Sequence, residues 1–467
     1  MKQPVRFDRR TWVETGTGLL IPEGTNLGQP KQIVKPNQTF YESMQARCEH
    51  CIDLLIAKGF SDGTSAKGLE NIRELLLSPD TSVEKSFGVT LSDGKHHIFK
   101  GFLVVDDEII RPVKGGCRAS KHLDLETDKA LARGMTLKCF LNKVKYGGAK
   151  AGIVVDLSEH SEADQEAIVK GWARAFKDFL GPTYYISAPD VGTGPQFADW
   201  VHDALTYTTP AGRSIAGSII TGKSVEVGGV IGRAGSTGLG MVYAAEIAVQ
   251  HFENRSLDGK TVIIEGLGKV GSSAAEHFPK HGATVIGVKE YNGGIWNPEG
   301  MDVGKLLAHW RSKKTFEGFN EGEFFTGQEN EGLLERRCNI LAPSARENTI
   351  TSENAGRIQA DYIDEGGNGS ITTDALRILA GRGKKVLVDI FANAGGVRWS
   401  WFEDQQERTG GRFMFDELDQ KFKAGISETF GEIVAASKKW DVDLGTAAYM
   451  LAIENQAKHH LKKGLRP

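Results

Sequence analysis

Apolar positions recur at helical spacing from Thr39 to about Lys58 and again over about 66–77, and then give way to strand-like runs. The stretch SFGVTLSDGKHHIFKGFLVV (86–105) places two apolar-rich runs around Ser92-Asp93-Gly94, a turn of the D-G type, and predicts a hairpin. LDLETDKALARGMTLKCFLNKVK (123–145) returns to helical spacing, with acids in its first turn and lysines in its last, as the helix dipole favours. Leu131, Met135, Lys138 and Leu141 fall on one face of that helix, so Lys138 points where an apolar residue is expected. A lysine there is costly unless an anion meets it or its stem carries the charge back to solvent.

Beyond residue 260 the pattern alternates. TVIIEGLG (261–268) is an apolar strand running into glycines, KVGSSAAEHFPKHG is a helix, and ATVIGVKE (283–290) is a second strand. Together they make a βαβ unit and predict a parallel sheet with crossover helices. CNILAP (338–343), ADYIDE (360–365) and KVLVDIF (385–391) extend that sheet. The first 38 residues are polar, with several Gly and Pro, and read as an extension with little core of its own. At 467 residues the chain is long enough for two or three lobes.

The turn of the βαβ unit reads Gly266-Leu267-Gly268-Lys269-Val270-Gly271, a G-x-G-x-x-G pattern between a strand and a helix, and the acid Glu290 closes the next strand. That context makes it a dinucleotide-binding fingerprint. The first glycine permits the tight turn, the second lets backbone approach a pyrophosphate, the third allows close helix packing, and the helix N-terminus offers N–H groups to the phosphates. Glu290 suits ribose hydroxyls and leans the reading toward NAD, whereas Lys269 and Lys289 are cations suited to the 2′-phosphate of NADP, so both cofactors stay open.

Composition narrows the partners. Lys+Arg 57 against Asp+Glu 60, for a net charge of −3, leaves no electrostatic footprint for nucleic acid or an anionic membrane, and no window reaches the ~18 apolar residues of a membrane span. Five scattered cysteines do not form a disulfide framework and fit a reducing compartment, so a soluble cytoplasmic protein acting on small molecules is expected. Cys48 and Cys51 form a C-x-x-C, but no second pair follows at zinc spacing and the segment is helical, so no metal site is assigned.

Lys114 in VKGGCR, Lys138 on its helix and Lys150 in YGGAKAGIVVD are three cations, two of them beside glycine pairs that allow close approach of backbone or ligand. SAPDVGTG (187–194) adds Asp190. A site for a small dianion beside a nicotinamide explains all four; four unrelated charges is the alternative that spacing alone leaves standing.

The blocks KGGCR (114–118), MTLKC (135–139), YGGAKAGI (146–153), APDVGT (188–193), GRAGSTGLG (232–240), GLGKVG (266–271), GGIWNPEGMD (293–302), GGNGSITTDA (366–375) and ANAGGVRWSWFE (392–403) stand in the order of the glutamate/leucine/phenylalanine/valine dehydrogenase family, which the chain resembles over roughly residues 75–405. The resemblance implies a two-domain α/β fold. A substrate-binding and oligomerisation domain spans 1–220 and is completed by C-terminal helices in 395–467; a Rossmann-type, doubly wound dinucleotide domain spans 221–394. It further implies reversible NAD(P)-dependent oxidative deamination of an L-amino acid to a 2-oxo acid and ammonia, in a homo-oligomer that in this family is a hexamer.

Roles follow from the resemblance position by position. Lys150 matches the catalytic lysine that polarises the α-carbonyl or imine and activates water, and Asp190 the acid that exchanges protons with the amine. Lys138 matches the lysine that binds the α-carboxylate. Lys114 and Ser400 match the pair that holds a side-chain carboxylate, which points to glutamate. Ala188 and Val397 match pocket-lining positions, Asn393 a substrate contact, and Arg233, Thr237 and Asn368 the residues around the nicotinamide carboxamide. Leucine, valine or phenylalanine as substrate, and a catalytically inactive regulatory homologue, are the competing readings. The chain departs from the family pattern at Leu103, Val105, Asp106, Ala119, Ser120, Ala151, Lys269 and Arg346, which raises the question of substrate preference and subunit contacts.

Overall fold

A computed structural model describes residues 12–14, 20–22, 39–63, 66–206 and 216–463. Most of the expected polar extension, 1–38, lies outside the described residues; within it Trp12–Glu14 (β1) pairs antiparallel with Leu20–Pro22 (β2).

The predicted hairpin is longer than its apolar runs suggest. Thr81–Thr90 (β3) and His96–Asp107 (β4) pair antiparallel across ten register positions, and the turn is closed by Gly94 N–H donating to Leu91 O. Their sheet continues through Gly147–Ile153 (β7), Val113–Lys114 (β5) and Tyr185–Ile186 (β8), with Cys117–Ala119 (β6) also pairing with β7. β4 and β7 run antiparallel, whereas β7, β5 and β8 run parallel, so the sheet is mixed. Helices Glu162–Ala175 and Pro195–Thr206 bury Trp172, Phe197 and Val201 in the same core as Leu103, Val105 and Ala151.

Helix Leu125–Leu141 covers the sheet's other face. Asp124 caps it by accepting from Thr127 N–H at 2.7 Å. The single apolar face expected for it is not what forms: from Ala130 to Leu141 every residue but Met135 is buried. The cause is tertiary. Helices Phe40–Lys58 and Leu444–Lys463 pack on the side that the sheet leaves free. The polar residues caught inside are paired: Arg133 Nε meets Asp106 at 2.8 Å, and Thr136 Oγ1 donates to Asp106 at 2.6 Å. Asp106, one of the departures, is thus a counter-ion for a buried arginine. Leu103 and Val105 fill the core.

The second sheet has seven strands in the order β12-β11-β10-β9-β13-β14-β15. Thr261–Glu265 (β9), Thr284–Glu290 (β10), Ile340–Pro343 (β13), Tyr362–Asp364 (β14) and Lys385–Leu387 (β15) run parallel, as the alternating pattern predicts. Gly293–Trp296 (β11) and Glu323–Phe325 (β12) complete it antiparallel at one edge. The order reverses between β9 and β13, the crevice where doubly wound sheets take ligands. KVLVDIF divides: β15 stops at Leu387, and Asp389–Ala392 turns helical. Helices Gly395–Thr409, Phe415–Trp440 and Leu444–Lys463 then return across both halves, Phe415–Trp440 against helix Ser236–Glu253 and Leu444–Lys463 against Leu125–Leu141. Cys48 and Cys51 are buried inside helix Phe40–Lys58, where burial pushes the Cys48 thiol up to about 11.

Candidate active site

The glycines of YGGAKAGI lie within β7. Side chains alternate along a strand, so residues 148, 150 and 152 share one face. That face meets helix Leu125–Leu141. A Cβ on Gly148 would stand 2.0 Å from Thr136 Oγ1, and one on Gly152 would stand 1.9 Å from Leu123 Cδ2. Of the two approaches open to these glycines, backbone or ligand, the structure shows the protein's own: they admit the helix and the turn before it, and Lys150 is the one long side chain between them. Ala151 points the other way into the apolar core, so its methyl group leaves the lysine's surroundings unchanged.

Lys150, only 3% exposed, places Nζ 2.7 Å from Asp190 Oδ1. The other oxygen, Oδ2, accepts from Arg118 Nε at 3.0 Å, and Arg118 Nη1 reaches Glu347 Oε1 at 3.5 Å. Asp190 sits on the loop after β8, where its N–H donates to Thr193 Oγ1 at 2.7 Å and Thr193 Oγ1 donates to Cys117 O at 3.0 Å. Burial works against its charge, but the Lys150 ammonium and the Arg118 guanidinium hold its carboxyl far below the usual carboxylate range. Arg118 is part of the KGGCR block, yet a lone arginine in a sequence block gives no sign of the carboxylate it will meet.

The other two lysines flank this pair. Lys138 Nζ donates to Asn368 Oδ1 at 2.6 Å, joining the helix of the first sheet to the loop after β14. Asn393 Nδ2 donates to the same Oδ1 at 3.1 Å and to Gly366 O at 3.1 Å, while Asn393 Oδ1 is buried without a partner. Burial lowers Lys138 from the usual lysine range, with Asp389 pulling it back. Lys114, 1% exposed on β5, donates to Ser187 O at 3.0 Å; burial, with Arg233 adding repulsion, brings it down to about 7. Ser400 Oγ accepts from Arg233 Nε at 3.1 Å. Arg233 thus stands by Ser400, and Thr237 lies one helical turn beyond it, close to Gly396. Val397 packs with Cys139, Tyr146, Ile186 and Met135, and Ala188 is buried beside Cys117, whose N–H donates to Ala188 O at 2.7 Å.

The fingerprint folds as its glycines require. Gly266 has φ +85°, a left-handed value that suits glycine. A Cβ on Gly268 would meet nothing within 4 Å, so this backbone is open to a ligand, and one on Gly271 would stand 1.9 Å from Gly266 O. Helix Lys269–His277 starts there, with Val270 packed on the core below. Glu290 accepts from Leu267 N–H at the end of β10. The two cations considered for a 2′-phosphate are engaged elsewhere. Lys289, on the opposite face of β10 from Glu290, is buried 3.3 Å from Glu265 Oε1. Lys269 Nζ crosses the cleft and donates to Asp190 O at 3.0 Å and to Thr193 O. Ala119 is buried, Ser120 half-buried and Arg346 exposed.

Comparison with known proteins follows the same lines. The model of the Glutamate/Leucine/Phenylalanine/Valine dehydrogenase family matches residues 228–464, and that of the Glu/Leu/Phe/Val dehydrogenase dimerisation domain matches residues 79–207. The catabolic NAD-specific glutamate dehydrogenase of Bacillus subtilis is 35% identical over 389 residues, 82% of this chain and 89% of its own length. The glutamate dehydrogenase of Thermotoga maritima is 35% identical over 87% of this chain and 97% of its own. A hetero-hexameric glutamate dehydrogenase from Thermus thermophilus, in a leucine-bound form, superposes with a TM-score of 0.83 at 26% identity, covering 93% of this chain and 100% of that one.

Proposed function

Because the chain belongs to the glutamate/leucine/phenylalanine/valine dehydrogenase family, we propose that it is a glutamate dehydrogenase. It catalyses reversible, NAD(P)-dependent oxidative deamination of L-glutamate to 2-oxoglutarate and ammonia, with NAD the favoured cofactor. The observation that carries this reading is the Lys150–Asp190 contact of 2.7 Å in a cleft that also collects Lys114 and Lys138.

The residues present fit a dinucleotide. Gly266, Gly268 and Gly271, with the first-turn N–H groups of helix Lys269–His277 and Val270, would hold the pyrophosphate, and Glu290 the ribose. Arg233, Thr237 and Asn368 would surround the carboxamide. When bound, the nicotinamide supplies a hydride acceptor. With Lys269 and Lys289 both engaged away from Glu290, two of the reasons to expect a 2′-phosphate fall away. NAD-specific relatives lean the same way.

This chain's residues do the rest. Lys138, with Asn393, binds the α-carboxylate and fixes Cα in the cleft, while Ala188 and Val397 wall the pocket. Lys114 and Ser400, with Arg233 beside them, receive the side-chain carboxylate, and an apolar side chain would leave a buried ammonium unpaired. Lys150 polarises the carbon that loses its amine and activates water, and Asp190 exchanges protons with the amine.

In this reading residues 1–220, completed by helices in 395–467, form the substrate and assembly domain, and 221–394 the dinucleotide domain. The protein assembles as a homo-oligomer, a hexamer by likeness to the family. Among the described residues no helix is long and apolar enough to cross a membrane, which fits the expected cytoplasmic setting. The test is NADH and NADPH formation from L-glutamate, leucine, valine and phenylalanine. Glutamate with NAD should give the highest kcat/KM; preference for an apolar amino acid, or no turnover at all, would overturn the reading.

A further inference from the structure

Asp190 is held from the dinucleotide half at both its ends. Its carbonyl accepts from Lys269 Nζ at 3.0 Å. Its carboxylate Oδ2 accepts from Arg118 Nε at 3.0 Å, and Arg118 Nη1 in turn pairs with Glu347 Oε1 at 3.5 Å. Glu347 lies on the loop after β13, where the N–H of the next residue, Asn348, donates to Gly369 O at 2.9 Å and fixes that loop to the one carrying Asn368. Arg118 is therefore the middle of a chain of contacts that starts on the parallel sheet and ends on the acid facing Lys150.

The backbone around Arg118 is built for this contact. Cys117 N–H donates to Ala188 O at 2.7 Å, Ala119 N–H to Val191 O at 2.9 Å, and Thr193 Oγ1 to Cys117 O at 3.0 Å, so the residues on both sides of Arg118 are laced to the loop that bears Asp190. A Cβ on Gly116 would stand 2.9 Å from Asp190 Cβ, and one on Gly192, where φ is +76°, would stand 2.1 Å from Ala119 O. Glycine at both positions lets the two segments close to this distance. The Arg118 side chain is only 14% exposed, and Asp128, buried in the first turn of helix Leu125–Leu141, adds a further carboxyl near it. A planar guanidinium held this way addresses two carboxylates with separate nitrogens, which an ammonium does not do.

Asp190 has two oxygens and meets two cations. With Oδ2 committed to Arg118, Oδ1 is the oxygen that faces Lys150 at 2.7 Å and is left for proton exchange. A carboxylate held by Lys150 alone could turn about its Cβ–Cγ bond and present either oxygen. We propose that Arg118 is a positioning residue that aims Asp190 at the reacting amine, and that Glu347 holds Arg118 in that geometry from the dinucleotide half. Arg118 touches no reacting atom and acts through Asp190 in the proposed glutamate oxidation, on which this inference rests.

Arg118→Gln removes the fork, while Asp190 keeps Lys150 as its counter-ion. In a preparation with the wild-type melting temperature, kcat for glutamate should fall ~10–100-fold, the range for losing a hydrogen bond to a charged group. KM for glutamate and Kd for NAD should each stay within about three-fold. The solvent deuterium isotope effect on kcat should rise as proton exchange with Asp190 slows, a readout that a purely structural arginine would not move. Arg118→Lys, with one nitrogen for two carboxylates, should recover only part of the loss, and it decides the matter if Arg118→Gln does not fold. Glu347→Ala, at a half-buried position, should lower kcat about 2–5-fold, as for loss of a partly exposed ion pair. Wild-type kcat and isotope effect in either folded Arg118 variant overturn the proposal, and wild-type kcat in Glu347→Ala overturns its cross-domain part. Absence of glutamate oxidation by the wild type would instead defeat the functional reading, and the two failures are distinguished by that control.

Discussion

Lys269 Nζ donates to Asp190 O at 3.0 Å, so the first residue of the fingerprint helix is tied to the loop that carries the acid facing Lys150. Two domains meet at this contact. With Lys138 donating to Asn368 and Arg118 reaching Glu347, it makes three polar links between the lysine-bearing sheet and the dinucleotide half.

Lys269→Ala therefore loosens the Asp190 loop and leaves the chemistry's own groups in place. Steady-state kinetics should show kcat reduced by up to ~10²-fold, the scale of a 1 Å misplacement. The NAD to NADP preference should not change, because the ammonium is engaged with Asp190 and Thr193 rather than with Glu290. A switch in cofactor preference would contradict that placement.

Lys114 gives a pH dependence with a definite sign. Burial and Arg233 bring it down to about 7, so the free site is cationic below that pH and loses its ammonium above it. KM for glutamate should rise as pH increases past about 7, while KM for an apolar amino acid should stay flat. Lys114→Leu should remove that difference and raise KM for glutamate on the order of 10–100-fold, as expected for losing a hydrogen bond to a charged group. It should also improve turnover of leucine.

Asp106→Ala tests stability rather than catalysis. Arg133 and Asp106 are both almost fully buried at 2.8 Å, and Thr136 also donates to Asp106. Removing the carboxylate strands a guanidinium, at a cost of roughly 3–5 kcal/mol in denaturant unfolding. KM for glutamate should move little, because the side-chain hydrogen bonds of Arg133 and Asp106 go to each other, to Leu76 O and from Thr136, and none of these reaches Lys150.

The sequence makes the parallel sheet legible because each of its buried strands is a short apolar run and its first turn carries glycines at set spacing. The lysines are legible as oddities: Lys138 sits where an apolar residue belongs. What stays hidden depends on long-range partners. Nothing local says that Gly148 and Gly152 face a helix, that Lys289 pairs with Glu265, or that Arg118 shares Asp190 with Lys150. Asp128 is the plainest case, since an acid in a first helical turn reads as dipole complement until its burial is known.

The most direct test of the central claim is Lys150→Ala, with kcat for glutamate and Kd for NAD measured on the same preparation. Asp190 keeps Arg118 in the variant, so the cleft retains a counter-ion. The amine's acid-base contribution predicts a loss in kcat of ~10²–10⁴-fold. Dinucleotide affinity should stay within about two-fold, because Lys150 lies on β7 while the nucleotide groups lie on the other sheet. Activity close to wild type in this variant would contradict the assignment of Lys150 as the reacting amine.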